Sequence, residues 1–349
     1  MRTGLLVLFL AALLPAHAGA PEAPTPIVIA HRGASGLRPE HTLAAYELAI
    51  AQGADYLEPD LVMTRDGVLI ARHENEISTT TDVASRPEFA ARRTTKTIDG
   101  KKVTGWFTED FTLAELKTLR VRERLPQLRR DSATYDGQFT IPTLEEILQL
   151  LRRRQKETGR VTGLYPETKH PSYFRQIGLP MEEKLAALLH RYGYRGRNAP
   201  VFIQSFEVAN LKRLRQITDL PLVQLLDERG QPYDFQVAGD SRTYADLATP
   251  QGLAQIATYA QGIGPAKGLI LPRDPTGRWK APTTLVTDAH AAGLKVHPWT
   301  FRDEKMFLPA DCPDAVAEIR RFLQLGVDGV FTDFPATAVR ARNSLQKMP

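Results

Sequence analysis

Eight short apolar or β-branched runs recur along this chain, and most are followed by a segment whose apolar residues repeat with helical period. The runs are Ile27–Ala30, Tyr56–Val62, Val161–Glu167, Val201–Gln204, Leu220–Leu225, Gln261–Gly264, Lys295–Trp299 and Asp328–Thr332. Between them, Leu144, Ile147, Leu148 and Leu151 fall on one helical face behind a Thr143–Glu146 capping box. Leu185, Leu188, Leu189 and Tyr192 repeat the spacing, and Gly326 stops the last clear helix. Parallel neighbours need a crossover of a dozen or more residues, which such helices supply. Eight strand–helix units predict an α/β fold, a (β/α)8 TIM barrel.

A ninth apolar run, Val68–His73, follows the second after only Thr64-Arg65-Asp66-Gly67. That gap is too short for a parallel crossover, so the run is expected to fold back as a hairpin arm over the barrel mouth. From about 74 to 141 no strand–helix unit is legible, and Thr, Arg and Lys abound (Thr79–Thr81, Arg92-Arg93, Lys101-Lys102, Arg129-Arg130). We expect one inserted subdomain after the second strand, above the strand ends where barrel enzymes keep variable loops.

The amino terminus has its own logic. Arg2 precedes the unbroken apolar run Leu5–Leu14, and Ala16-His17-Ala18 has the small-x-small form of a processing site. The run is too short to span a bilayer, so residues 1–18 are expected to be a cleaved signal peptide. A proline-rich spacer (19–26), a barrel domain over 27–340 and a tail over 341–349 complete the expected organisation. The protein is then exported, into a periplasm first and otherwise outside the cell. Cys312 is the single cysteine, which excludes an internal disulfide and any cysteine-rich zinc or iron–sulfur site. The net charge of +5 on 349 residues is a weak field, better suited to a small anion than to nucleic acid. No apolar segment predicts stable membrane insertion, and the oligomeric state is not legible.

Chemistry-bearing residues cluster at the carboxyl ends of successive runs. They are His31-Arg32 after the first, Glu58-Pro59-Asp60 in the second, His73-Glu74 on the hairpin arm and Glu167-Thr168-Lys169 in the third. Strand side chains alternate, so Glu58 and Asp60 share a face, as do Glu167 and Lys169. Three carboxylates converging in a barrel mouth are costly unless paired or bound to metal, and they suit a hard divalent cation, Ca2+ or else Mg2+, better than zinc. His31 and His73 then become general acid and base, while Arg32 and Lys169 face phosphoryl oxygens. This inventory suits phosphodiester cleavage. The nucleophile is water or a substrate hydroxyl, and either histidine can be the acid. Trp299 is expected to wall the substrate or to belong to the core. Asp333 is expected to cap a final helix or serve the site. His41 is expected at the start of the first helix, and His190 and His290 on outer helices. Pro59 in a central strand predicts either that its missing N–H points where no partner is needed or that the strand bends locally.

The pattern His31-Arg32, Glu58-x-Asp60, His73 resembles the signature of the glycerophosphodiester phosphodiesterases, and Ile29–Glu74 as a whole resembles their secreted, periplasmic branch. The likeness continues through Tyr165–Lys169, Gln204–Phe206, Gly262–Pro265, His297–Thr300 and Phe331–Pro335. The resemblance implies a barrel with an insertion after its second strand. It also implies hydrolysis of glycerophosphodiesters such as glycerophosphocholine to sn-glycerol 3-phosphate and an alcohol. Carried over by motif, His31 and His73 are the acid–base pair, Glu58, Asp60 and Glu167 the metal ligands, and Arg32 and Lys169 the phosphate contacts. Two rival readings are an exported phospho-ligand binding protein on the same barrel and a phospholipase D-like lipid hydrolase. A pure binder has no need of two histidines so placed, and no amphipathic aromatic stripe for a lipid surface is evident.

Overall fold

Backbone ladders join all eight expected runs into a ring. The computed structural model describes residues 25–345; the expected signal 1–18, most of the spacer 19–26 and the end of the tail 341–349 lie outside the described residues. β1 (Ile27–His31) is followed by β2 (Tyr56–Glu58) and β3 (Asp60–Met63), which are one run interrupted at Pro59. The hairpin arm is β4 (Leu69–Ala71), and a second hairpin, β5 (Thr94–Ile98) with β6 (Lys101–Gly105), lies in the insertion. Then come β7 (Gly163–Leu164), β8 (Glu167–Thr168), β9 (Ile203–Ser205), β10 (Leu222–Leu226), β11 (Gly262–Pro265), β12 (Lys295–Val296) and β13 (Gly329–Thr332).

The pairings are parallel around the ring. β1 pairs with β2 and β13, β2 with β7, β3 with β8, and β8 through β12 pair in order. The Asp328 amide donates to the Val296 carbonyl and the Phe331 amide to the Pro298 carbonyl, which closes the circle. Two breaks lie side by side, at Pro59 between β2 and β3 and at Tyr165-Pro166 between β7 and β8. Proline has no amide hydrogen for the ladder, yet the Pro59 carbonyl still accepts from Glu167 and that of Pro166 from Gln204. The strand is interrupted at Pro59, between the carboxylate residues Glu58 and Asp60.

Side-chain alternation divides the core in two. Ile29, Tyr165, Val223 and Phe331 fill the barrel interior with Ile27, Tyr56, Phe202 and Trp299 packed against them. The neighbouring positions Val28, Leu57, Leu164, Ile203 and Val330 face outward into the larger layer beneath the helices. Each fully buried side chain of this size stabilises the fold by about 1.5–3 kcal/mol. The helix Leu144–Thr158 buries Leu144, Ile147, Leu148 and Leu151, and its Thr143–Glu146 capping box is formed in both directions. The closing helix Pro335–Leu345 runs beyond residue 340, where the tail was expected to begin, and buries Ala338 and Ala341.

β4 pairs antiparallel with β3, as so short a connection demands. The Ala71 amide donates to the Pro142 carbonyl, so the two ends of the insertion meet at its base. Buried Arg72 pins it further, donating to the carbonyls of Ala71, Thr80 and Glu40. The β5–β6 hairpin was not foreseen. Its signal is Asp99-Gly100, both left-handed (φ 47° and 76°), between two runs of Thr, Lys and β-branched residues.

Candidate active site

Period two carries the interior core up into the site. In β1 the inward series is Ile27, Ile29, His31; on the next strand pairs it is Tyr56, Glu58 and Tyr165, Glu167, Lys169; farther round it is Phe202, Gln204, Phe206. The lower members are rings and aliphatics, and the upper members are polar apart from Phe206. They open into a cavity of about 600 Å³ lined by His31, Arg32, Glu58, His73, Glu167, Lys169 and Trp299 among others.

Glu58, Asp60 and Glu167 each bring an oxygen within 4.8 Å of the others. All three are buried. Glu58 accepts from the Arg32 amide (2.7 Å) and from the Gln204 amide nitrogen Nε2 (3.1 Å). Asp60 Oδ2 is 2.9 Å from His41 Nε2 and 3.3 Å from Arg32 Nε, whereas its buried Oδ1 has no hydrogen-bond partner. Burial and the charges of Asp60 and Glu167 push the Glu58 carboxyl well above its ordinary range. Burial likewise raises Glu167 against the pull of Lys169. At Asp60 burial is outweighed by the His41 hydrogen bond and the His41 and Arg32 charges, and its carboxyl is held low. A trio with an orphaned oxygen and two carboxyls that resist ionisation lacks positive charge at its centre. All-oxygen donors fit a hard divalent cation there.

The two imidazoles follow β1 and β4, the strands that pair with the β2–β3 run along its edge away from β7 and β8. His31 Nδ1 lies 2.6 Å from Asp333 Oδ1, and Asp333 Oδ2 accepts from Arg129 (2.5 Å) and Arg302 (2.9 Å). His73 Nδ1 lies 2.7 Å from Glu74 Oε1, though off the line of a straight hydrogen bond, and His73 Nε2 is 3.4 Å from Lys169 Nζ. Burial and Arg32 lower the basicity of both rings, with Lys169 adding to the effect at His73. Each imidazole is therefore neutral at pH 7. With a carboxylate facing Nδ1, the lone pair of each ring is placed on Nε2, which at His73 neighbours the Lys169 ammonium. Arg32 joins Glu40 (3.0 Å) as well as Asp60, and Lys169 joins Glu167 (3.0 Å). Trp299 lines the cavity edge-on to Phe206 and donates its indole N–H to the Gly264 carbonyl.

The sequence matches the Glycerophosphoryl diester phosphodiesterase family over residues 31–337. The chain belongs to that family. A glycerophosphodiester phosphodiesterase of Arabidopsis thaliana is 39% identical over 88% of this chain and 84% of its own length. One from Haemophilus influenzae is 31% identical over 90% and 88%. Among solved structures, one from Silicibacter pomeroyi superposes with TM-score 0.67 at 27% identity, covering 93% of this chain and 95% of that one. An Oleispira antarctica phosphodiesterase, solved with the product sn-glycerol-3-phosphate, shares the fold with TM-score 0.59 at 22% identity, covering 91% and 97%. The family barrel is thus the fold of this chain.

Seven of the eight expected site residues, Trp299 among them, line one cavity, and the eighth, Asp60, meets Glu58 and Glu167 within 4.8 Å. Three others are better placed than their sequence context implied. His41 does precede the first helix, Leu43–Ala51, but its ring is fully buried between Asp60 and the Tyr46 hydroxyl (2.7 Å). Asp333 is no helix cap, because its carboxylate is engaged by His31, Arg129 and Arg302. Gln204 fixes Glu58 and leaves a buried amide oxygen unpartnered. His170 was not singled out at all, although it sits next to Lys169 and lines the cavity. Its only local signal is a histidine before Pro171 at a strand end. His190 and His290 lie away from the cavity, against Thr218 and Asp328.

Proposed function

We propose that this chain hydrolyses glycerophosphodiesters, glycerophosphocholine among them, to sn-glycerol 3-phosphate and an alcohol. The observation that carries the reading is the pair of carboxylate-backed imidazoles that share one open cavity with a buried acidic trio. Family membership supports it. A divalent cation held by Glu58, Asp60 and Glu167 would supply positive charge to the phosphoryl group and acidify an attacking hydroxyl. We take that cation to be calcium, with magnesium as the competitor.

The chain's own residues do the rest. Arg32 and Lys169, both buried and permanently charged, face the mouth and neutralise non-ester oxygens of the bound phosphodiester. The anionic substrate in turn favours a proton on an imidazole that is neutral without it. One imidazole takes the proton of the attacking hydroxyl at Nε2, and the other delivers a proton to the departing alkoxide, whose own basicity is too high to leave unprotonated. Trp299 and Phe206 wall the less polar part of the substrate. Export is part of the same proposal, supported by Arg2, Leu5–Leu14 and Ala16-His17-Ala18 and placing the enzyme in a periplasm.

The test is release of glycerol 3-phosphate from glycerophosphocholine by the purified protein, first in chelator and then with calcium or magnesium restored. Activity should vanish and return, and Glu58→Ala should stay inactive at saturating cation. Full turnover in chelator, or in Glu58→Ala, would remove the metal assignment. Hydrolysis of phospholipid vesicles but not of the soluble diester would replace the substrate class.

A further inference from the structure

The rim of the cavity holds a chain of four side chains, Asp99, His170, Glu74 and His73, of which the proposed reaction uses only the last two. His170 Nδ1 lies 2.5 Å from Asp99 Oδ2, and His170 Nε2 lies 3.1 Å from Glu74 Oε2. The other oxygen of Glu74 is the one beside His73 Nδ1. Asp99 sits in the turn of the β5–β6 hairpin, so the series runs from the inserted subdomain to an imidazole of the proposed acid–base pair. Resting on the function proposed above, we infer that His170 is a positioning residue for His73, fixing Glu74 from the tip of the inserted hairpin.

Three features carry this. First, both ring nitrogens of His170 face carboxylate oxygens, so the ring binds both only as the doubly protonated imidazolium. It has no donor left for substrate, which makes its role indirect. Second, the surroundings favour that cation: hydrogen bonds from Asp99 and Glu74 overcome burial and raise His170 to about 9. Third, His170 adopts left-handed backbone (φ 49°, ψ 43°) just before the helix Pro171–Gln176. That conformation is uncommon for a residue with a Cβ and persists where its contacts over-determine it. Glu74 is the loose link of the site, with a side chain 45% exposed that meets the imidazoles of His73 and His170. An exposed carboxylate samples many rotamers, and a cation anchored on its far oxygen restricts them. The near oxygen is then held beside His73 Nδ1. This keeps the proton on that nitrogen and the lone pair on Nε2, the arrangement proton transfer needs.

The experiment uses the full chain with saturating cation and glycerophosphocholine. His170→Ala and Asp99→Asn should each lower kcat about tenfold with KM within about twofold, as loss of a supporting partner does elsewhere. His170→Arg, which restores a donor to both carboxylates, should recover part of the loss. In a double-mutant cycle, His170→Ala added to Glu74→Ala should cost nothing further. Nitrogen-15 spectra of the His73 ring supply a readout independent of turnover: a single Nδ1–H tautomer in the wild type and a mixture in His170→Ala. Unchanged kcat and unchanged His73 tautomer in folded His170→Ala and Asp99→Asn would overturn the inference, as would full additivity in the cycle. An inactive wild type with the tautomer difference intact would instead count against the proposed reaction alone.

Discussion

The two imidazoles of the site have the same immediate neighbour, a carboxylate facing Nδ1, but very different support behind it. Asp333 is 2% exposed and is gripped by two guanidiniums, one from Arg129 in the insertion and one from Arg302 beyond β12. Glu74 stands at the rim, half in solvent, gripped by the single imidazolium of His170. The His31–Asp333 contact is an aligned hydrogen bond, whereas the His73–Glu74 contact is short but bent. Guanidiniums do not titrate in the working range of an enzyme, and a histidine does. One imidazole thus has a support that is constant with pH, and the other a support that can be switched off. The inserted subdomain reaches both, by Arg129 on one side and Asp99 on the other.

The largest effects should come from the rings themselves. His31→Ala and His73→Ala should each lower kcat by about 10²–10⁴, the usual worth of a positioned acid or base. If one retained near-normal turnover, it would not belong to the acid–base pair and the symmetry of the comparison would be broken. Next come the carboxylates. Asp333→Asn should cost about 10²-fold or more in kcat, because an amide beside Nδ1 no longer selects the tautomer. Glu74→Gln should cost about tenfold, since a rim side chain contributes less order. Steady-state kinetics that place Glu74→Gln at or above Asp333→Asn would reverse the ranking argued here.

Arg129→Met separates support from chemistry. Arg302 still holds Asp333, so kcat should fall about tenfold at most. Stability should fall more plainly. Arg129 joins Asp333 and Glu304 with its side chain only 6% exposed, and removing one member of a buried pair costs about 3–5 kcal/mol. Urea unfolding followed by circular dichroism would show the loss. A variant as stable as the wild type would mean that this end of the insertion is not anchored through the site.

How much of this was legible in the sequence follows from the range of each interaction. The eight strands and the hairpin arm are local matters of period and connection length, and Thr143–Glu146 announces its own helix. Glu58, Asp60, Glu167 and Lys169 were legible because alternation on a strand is also local. The partners of His31 and His73 were not. Asp333 lies 302 residues from His31 and Arg129 another 204 from Asp333, so their meeting depends on closure of the ring. His41 looked like a helix start because its ring turns into the barrel only through a left-handed backbone (φ 55°), which sequence does not display. The β5–β6 hairpin was masked by composition. Eight of its ten strand residues are exposed or half-buried, all but Ile98 and Gly105, so no buried face advertised it.

The smallest expected effect is the pH dependence of the His170 support. Its ionisation is raised from 6.5 to about 9 in the folded protein, by Asp99 and Glu74 against burial. The stabilisation is therefore fully present below about 6.5 and disappears as pH rises through about 9. His31 and His73 run the other way: their lowered basicity favours the neutral ring, so their contribution is present at neutral pH and lost on acidification. Glu207, raised by burial to about 8, also weakens the fold on the alkaline side, so the wild type alone cannot isolate His170. The difference between wild type and His170→Gln can. Scanning calorimetry should show the wild type ahead by about 1–2 °C at pH 6, with the gap closing by pH 10 and the acid limbs parallel. A gap that persists unchanged to pH 10 would mean that the His170 contacts are ordinary packing, and the two supports would no longer differ in the way their chemistry requires.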